Sequence, residues 1–416
     1  MGERAVSAFG MLVMMALAFA LCPPERRRLV KLRTVGGGLL MLIVFALVVL
    51  RTPASRLFLL GNAAVDRLLA FSRDGASFLF GRLTTDPASF GFILAFQVLP
   101  TILFFSALMS LLYHLRVMPL IIEGLGRLLM RVLGTSGAES FSTVADIFVG
   151  QTEAPLAIKP YLAKMSGSEL NACMVAGFAT TAGGVLAAYV AMLGHAVPGI
   201  AGHLIACSVM SAPASLVIAK LMLPEQAGRD YAHETSVNIP KSSENVLDAI
   251  AQGTTDGIRL AVNVGGMLIV FLALTAMLNA TLGYLGGALF GVRVSLESIL
   301  GWAFSPLAWL MGVPKADVLK VGQLLGQKTV LNEFVAYSHL AEMLSKDPHW
   351  LSERGRVISA YALCGFANFG SIGIQIGGYS GLAPERRADI SRLAFKAMFG
   401  GLLATCLVAC VAGVML

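Results

Sequence analysis

The sequence predicts an all-α, polytopic membrane protein, and three observations carry that prediction. Of 416 residues, 56% are hydrophobic and only 13% charged, against roughly a quarter charged in a typical soluble domain. Apolar runs long enough to cross a hydrocarbon core of ~30 Å, about 20 helical residues each, recur throughout, and mean hydropathy is +0.77. The basic residues sit in short loops beside those runs. One integrated membrane domain follows, rather than several soluble ones.

Continuous spans are expected at 5–22, 35–51, 91–114, 168–193, 198–222, 258–285, 354–379 and 392–416, about eight crossings. The first run has one arginine ahead of it and no A-x-A cleavage pattern, and a basic cluster follows directly, so a retained span is expected rather than a cleaved signal. The loops at 25–33 (ERRRLVKLR) and 385–392 (ERRADISR) are cytoplasmic by the positive-inside rule, which puts both termini outside a bacterial inner membrane. The net charge of +7 therefore reads as topology. With no polar face of interleaved aromatics, it is not a nucleic-acid footprint. Six cysteines lie singly in or beside apolar runs and read as small buried residues.

Between the second and third spans, Arg56, Asp66, Arg67, Arg73 and Asp74 interrupt residues 56–82, as expected of a helix lying at the interface. The same reading fits 118–132, where Glu123, Arg127 and Arg131 share one face at i, i+4 and i+8. The most polar segment, 224–246, is expected to be a loop at the midpoint of the chain.

Two segments do not fit as spans. Residues 138–165 hold an apolar arm to Val149, then Gly-Gln-Thr-Glu-Ala-Pro, then a second arm to about Ala163. Each arm covers ~18 Å, about half a bilayer. Residues 315–345 show the same plan around Gly326-Gln327-Lys328-Thr329. Non-helical backbone at membrane depth is tolerated only where protein or a water-filled cavity surrounds it. Two re-entrant hairpins facing an interior site are therefore expected. The spans after them also match: one carries Gly177-Phe178-Ala179-Thr180, the other Gly365-Phe366-Ala367-Asn368. Paired, glycine-interrupted segments in two halves point to a transporter's midplane site.

A broken helix offers free N–H groups and positive dipole at one end, and unwound carbonyls that hold a cation at the other. Gly150 permits the break, and Pro155 suits the first turn of the second arm. Gln151 and Thr152 at the tip donate and accept, which suits a planar, uncharged, hydrogen-bonding ligand. Glu153 and Glu333 occupy comparable places in the two hairpins, where a carboxylate pair binds vicinal hydroxyls, a cation or a proton. Asp146, one turn before the break, would form an oxygen cage for a hard cation with Thr180 and the carbonyl of Thr181; the bland alternative is a pairing with Lys159 or Lys164. Asn368 and Ser371, at i and i+3, reach one ligand together, or else bond between close-packed helices. Lys328 is either a charge partner of Glu333 or an ordinary interface lysine.

The segments VGQTEAPLAIKPYL, GQKTVLNEFVAY and ISAYALCGFANFGSIGIQIGG resemble the signature segments of the concentrative nucleoside transporter family, in the same order, from about residue 90 to the C-terminus. The resemblance implies a homotrimer whose protomers have eight membrane-spanning helices, two re-entrant hairpins and interfacial helices, with an inverted-repeat transport domain moving elevator-fashion against a scaffold. It implies that Gln151, Thr152, Glu153 and Val185 line the nucleobase side, that Glu333, Asn368 and Ser371 take the ribose hydroxyls, and that Phe366 is part of the pocket wall. It also implies a sodium site at Asp146, Val149, Thr180 and Thr181, with carbonyls from Val149 and Thr181. Sodium-coupled members carry Asn where this chain has Asp146, and often Ser where it has Thr180, so the coupling cation is sodium or a proton taken up by Asp146.

The expected function is cation-coupled symport of nucleosides into the cell, with no enzymatic activity and no cofactor beyond the coupling ion. The chain divides into N-terminal scaffold helices (1–117), a first transport repeat (118–223), a loop, interfacial segment and scaffold helix (224–290), and a second transport repeat (291–416). A membrane-embedded enzyme using Glu153 and Glu333 as an acid/base pair is the alternative, but no nucleophile motif, metal cluster or phosphate loop supports it. A channel is a third reading, which two asymmetric polar hairpins do not suit.

Overall fold

The computed structural model describes residues 2–51, 55–90, 93–194, 196–226, 243–291 and 294–416, so most of the expected midpoint loop lies outside the described residues. Among the described residues six helical stretches, some of them interrupted, are long and apolar enough to cross a membrane: Glu3–Ala20, Leu94–His114, Gly167–Leu193, Ile200–Met222, Val246–Ala288 and Pro384–Met415, with a shorter apolar helix at Leu32–Val48. No strand occurs among them.

These helices fall into two groups by burial. Gly167–Leu193, Ile200–Met222 and Pro384–Met415 are 83%, 89% and 83% buried within the protein, whereas Leu94–His114 and Val246–Ala288 are 22% and 17% buried. A helix apolar all round and still exposed presents its side chains to lipid. The buried three therefore form the centre, and the outer helices wrap it. Ile200–Met222 and the C-terminal helix pack on each other and on Gly167–Ala179. At the periphery one helix runs unbroken from Val246 to Phe290, 45 residues and about 68 Å, along Leu99–His114. The expected interfacial segment and span are thus one element. Gly253 and Gly257 let the two backbones touch: a Cβ at either would come within 2.8 Å of Cα atoms of Ala107 and Leu103, the small-xxx-small device of membrane helix pairs.

Three sequence expectations are revised. The spans expected at 168–193 and 354–379 are not continuous helices. The first is Gly167–Ala179 and Gly183–Leu193, and the second is Glu353–Leu363 and Phe369–Leu382. Hydropathy averages over a window of about 20 residues, so a break of three to five residues leaves little trace in it. The second hairpin does turn back, but not at Gly326–Thr329, which lies inside the helix Val318–Val330; its tip is Leu331 and Asn332, before the helix Glu333–Lys346. Gly326 serves packing, since a Cβ there would meet the Leu300 side chain at 2.4 Å. Asn332 ends the arm because its side-chain oxygen caps the next helix, accepting the Val335 N–H at 2.9 Å.

The first hairpin begins where expected. Ser136 caps the helix Gly137–Asp146 in a reciprocal box with Glu139, and the second arm follows as the short turns Ala154–Ala157 and Lys159–Leu162. Glu139 is fully buried and its other oxygen meets Lys220 Nζ at 2.5 Å. Lys220 also donates to Ser168 Oγ at 3.0 Å, beside a second box formed by Ser166 and Glu169. One buried ion pair thus ties the base of the hairpin to both central helices. The amphipathic helix Val117–Leu133 buries Met118, Ile122, Gly126, Leu129 and Leu133 and keeps the expected Glu123–Arg127 pair outside.

Breaking a buried pair strands a charge at a cost of about 3–5 kcal/mol. Lys220→Met is expected to lower thermal stability in detergent by that order. Glu139→Gln/Lys220→Met, which keeps the capping box, is expected to recover most of the loss; equal destabilisation by both variants would count against the pair.

Candidate functional site

Both hairpin tips and both helix breaks meet in the interior. Gly150 has φ +85°, and a Cβ there would lie 2.8 Å from the Ala182 side chain, so the left-handed turn of the first tip fits against the first break only as glycine. The Gly183 N–H donates to the Phe148 carbonyl at 2.9 Å, crossing from that break to the hairpin. Gly365 has φ +116°, and a Cβ there would come 2.7 Å from the Ala179 carbonyl. The two breaks thus lie back to back. Each frees carbonyls at the end of one helix and N–H groups at the start of the next, which hydrocarbon would leave unpaired, and this is why they are found together.

Across this junction runs a chain of side-chain hydrogen bonds. Gln375 Nε2 donates to Gln151 Oε1 at 3.1 Å, and Gln151 Nε2 donates to Ser371 Oγ at 3.1 Å. The Ser371 N–H donates to Asn368 Oδ1 at 2.8 Å, and Asn368 Nδ2 to Glu333 Oε2 at 2.8 Å. The Tyr189 hydroxyl completes it, donating to Glu333 Oε1 at 3.2 Å. Residues 220 positions apart in sequence, Gln151 and Ser371, are in contact. Asn368 is the N-cap of Phe369–Leu382 rather than a residue on that helix's face, so its pairing with Ser371 is a capping bond.

Of the other predicted site residues, Val185 is buried at the start of Gly183–Leu193, Phe366 is half-buried within the second break, and Thr152 and Glu153 are exposed at the first tip. The two carboxylates are therefore unlike: Glu333 is buried and doubly bonded, Glu153 is open. Lys328 is a charge partner of Glu333 without a hydrogen bond to it, and not an interface lysine. Fully buried, it donates to the Ala362 carbonyl at 2.8 Å and Thr405 Oγ1 at 3.0 Å, a tethered cation at the C-terminal end of Glu353–Leu363.

Asp146 is fully buried at the end of the first arm, and among the described residues neither of its carboxylate oxygens has a hydrogen-bond partner. The pairing with Lys159 or Lys164 does not occur. Val149 adjoins Gly150 at the tip, and Thr180 and Thr181 form the break on which that tip rests. Thr180 Oγ1 donates to the Ala176 carbonyl at 2.9 Å and Thr181 Oγ1 lies 3.4 Å from Ser208 Oγ. Among the described residues no group of three His, Cys, Asp or Glu side chains gathers as a metal site. A lone carboxylate oxygen donor suits a hard cation rather than a transition metal.

Sequence reasoning missed Tyr189 and Gln375. Tyr189 sits in an apolar run with nothing to mark it. Gln375 carried a signal that the reading did not use, a lone amide within the apolar stretch GIQIGG.

A fold of paired hairpins and paired broken helices around a buried polar site defines a secondary transporter of the alternating-access class. Residues 9–83 match the family described as Na+ dependent nucleoside transporter N-terminus, 203–413 its C-terminus, and 95–196 the nucleoside recognition (Gate) family. An uncharacterized transporter of Haemophilus influenzae is 45% identical over 98% of this chain and 96% of its own length. The sodium/nucleoside cotransporter 1 of Rattus norvegicus is 39% identical over 99% of this chain, which spans 64% of the rat protein. Among solved structures, CNTnw in an inward-facing substrate-bound state superimposes with TM-score 0.91 at 42% identity, covering 99% of this chain and 98% of CNTnw. A doubly substituted CNTnw in an outward-facing state gives 0.93, with 42% identity and the same coverage. The chain belongs to the concentrative, Na+ dependent nucleoside transporter family. Its relatives are transporters, so the acid/base enzyme is set aside.

Gly150→Ala combines a positive φ with a 2.8 Å contact. It is expected to cost about 1–3 kcal/mol and to abolish most uptake in proteoliposomes; near-normal uptake would mean that the tip does not need this turn.

Proposed function

We propose that the chain carries nucleosides into the cell by symport with sodium, through elevator-type alternating access, with Asp146 meeting the cation's charge. The observation that carries this reading is the carboxylate itself. An ionised group so enclosed costs several kcal/mol unless paired, and in this reading Val149, Thr180 and Thr181 supply the remaining oxygens of the cation site. Sodium is favoured by the sodium/nucleoside cotransporters among the relatives. Alternating access is supported by the likeness to CNTnw in both inward- and outward-facing states.

In this reading the nucleobase meets Gln151, Thr152, Glu153 and Val185, Phe366 walls the pocket, and the ribose hydroxyls meet Glu333, Asn368 and Ser371. Glu333 suits that role because its oxygens accept while Asn368 and Tyr189 hold it in place. Residues 1–117 and 224–290 supply the scaffold, and 118–223 and 291–416 the moving repeats. The assembly would be a homotrimer in a bacterial inner membrane with both termini outside. Cation binding at Asp146 orders the hairpin whose tip, a few residues on, forms the base site. Coupling of this kind is reciprocal, so nucleoside affinity rises with the coupling cation.

The buried carboxylate equally accommodates a proton, and ion substitution separates the two. Uptake in proteoliposomes is expected under a sodium gradient at constant pH. Full uptake in sodium-free buffer under a proton gradient would assign the proton to Asp146 instead. Asp146→Asn is expected to shift cation dependence by ~10-fold or more while moving nucleoside KM at saturating cation far less; the reverse pattern would remove Asp146 from the cation site. Glu333→Gln is expected to raise the KM of a ribonucleoside by ~10- to 100-fold, the worth of a hydrogen bond to a charged group. The corresponding 3′-deoxynucleoside should change less, and an equal change for both would misplace the ribose.

A further inference from the structure

Gln375 lies in the helix Phe369–Leu382 and is fully buried. Its Nε2 makes two bonds, one to the Met174 carbonyl at 3.1 Å and one to Gln151 Oε1 at 3.1 Å. A backbone carbonyl only accepts, so it fixes which end of the Gln375 amide points toward the first hairpin. The nitrogen there can face only the oxygen of Gln151. The Gln151 nitrogen is thereby turned the other way, toward Ser371 Oγ at 3.1 Å. The backbone sets the opposite end of the chain as well. The Ser371 N–H only donates, so Asn368 presents its oxygen to it and its nitrogen to Glu333.

The packing around the two glutamines is built for this contact. A Cβ at Gly177 would lie 2.8 Å from Gln375 Nε2 and 2.9 Å from Gln151 Cβ. Glycine at this position is what lets both amides reach each other across the first broken helix.

We propose that Gln375 is a specificity-determining positioning residue, holding the Gln151 amide so that its N–H groups and not its oxygen face the bound base. The inference rests on the placement of the nucleobase against the first hairpin tip proposed above. A site that presents N–H to the exocyclic position, C4 of a pyrimidine or C6 of a purine, pairs with a carbonyl there and leaves an amino group facing a donor. It therefore favours the keto base of each keto/amino pair, uridine over cytidine and inosine over adenosine. Buried polar groups enforce such choices because the wrong partner leaves them unpaired.

The test compares kcat/KM for uridine, cytidine, inosine and adenosine in proteoliposomes carrying the full chain. In Gln375→Glu a protonated carboxyl donates to the Met174 carbonyl and accepts from Gln151, which reverses the Gln151 amide. The keto/amino ratio is expected to fall about tenfold, the worth of one well-placed hydrogen bond. Gln375→Met keeps the volume without the polarity and avoids burying an acid; here the ratio should move toward one. Ratios within twofold of the parent protein in Gln375→Met would overturn the proposal, since a merely structural glutamine lowers uptake of all four nucleosides together. Gln151→Ala separates the two levels of the argument. If it leaves the ratio unchanged, the base does not sit at the first tip. If it erases the ratio while both Gln375 variants preserve it, the placement stands and the role of Gln375 fails.

Discussion

The structure depends on one constraint, that backbone polar groups within hydrocarbon must find partners inside the protein. A single unwound turn in a membrane helix exposes free N–H and carbonyl groups that lipid cannot satisfy. Four such interruptions occur here, two hairpin tips and two breaks, and each leans on another. The Gly183 N–H is paired with Phe148 of the facing tip, Gly150 sits against Ala182, and Gly365 sits against Ala179. None of the four would be tolerated alone. Their mutual support gathers polar atoms at the centre of an otherwise apolar bundle, which is the precondition for a polar solute to be held there.

The same constraint explains which side chains surround the junction. Asn332 and Asn368 are both N-caps, each supplying an oxygen to the N–H three residues on. In satisfying the start of its helix, Asn368 has its nitrogen left to orient Glu333. Lys328 plays the complementary part at a helix C-terminus, where its ammonium meets the Ala362 carbonyl. A structural requirement of the backbone is met by groups whose remaining valences aim at a ligand.

Much of this was legible in the sequence, and what was not has a physical reason. The Gly-Gln-Thr-Glu-Ala-Pro tip announced itself because its polarity, glycine and proline coincide in an oily stretch. The second tip was displaced by five residues because Gly326 looked like the same punctuation. Glycine also serves close helix packing, and only the Asn332 cap distinguishes an end from an interior. The breaks at 180–182 and 364–368 were hidden within spans because three to five residues, two threonines in one and a single asparagine in the other, barely lower the hydropathy of a long apolar window. Asp146, Gln151, Glu333, Asn368 and Ser371 were all singled out by residue type and place. Tyr189 was not, since an aromatic ring in an apolar helix is ordinarily core. The likeness of the two halves was the strongest guide, because inverted repeats leave paired marks that neither half shows alone.

The two halves have nonetheless diverged in the charge they place at their breaks. In the second half the group is a lysine, Lys328, anchored to the Ala362 carbonyl and Thr405 Oγ1. In the first half the corresponding region holds a buried carboxylate, Asp146, with its oxygens open. An open carboxylate must take its counter-charge from solution, and its region changes energy by several kcal/mol according to whether that charge has arrived. In the proposed site it is the first half, through Asp146, that makes hairpin geometry depend on an external ion. On the proposed reading, that asymmetry is what turns a pair of near-equivalent repeats into a coupled transporter.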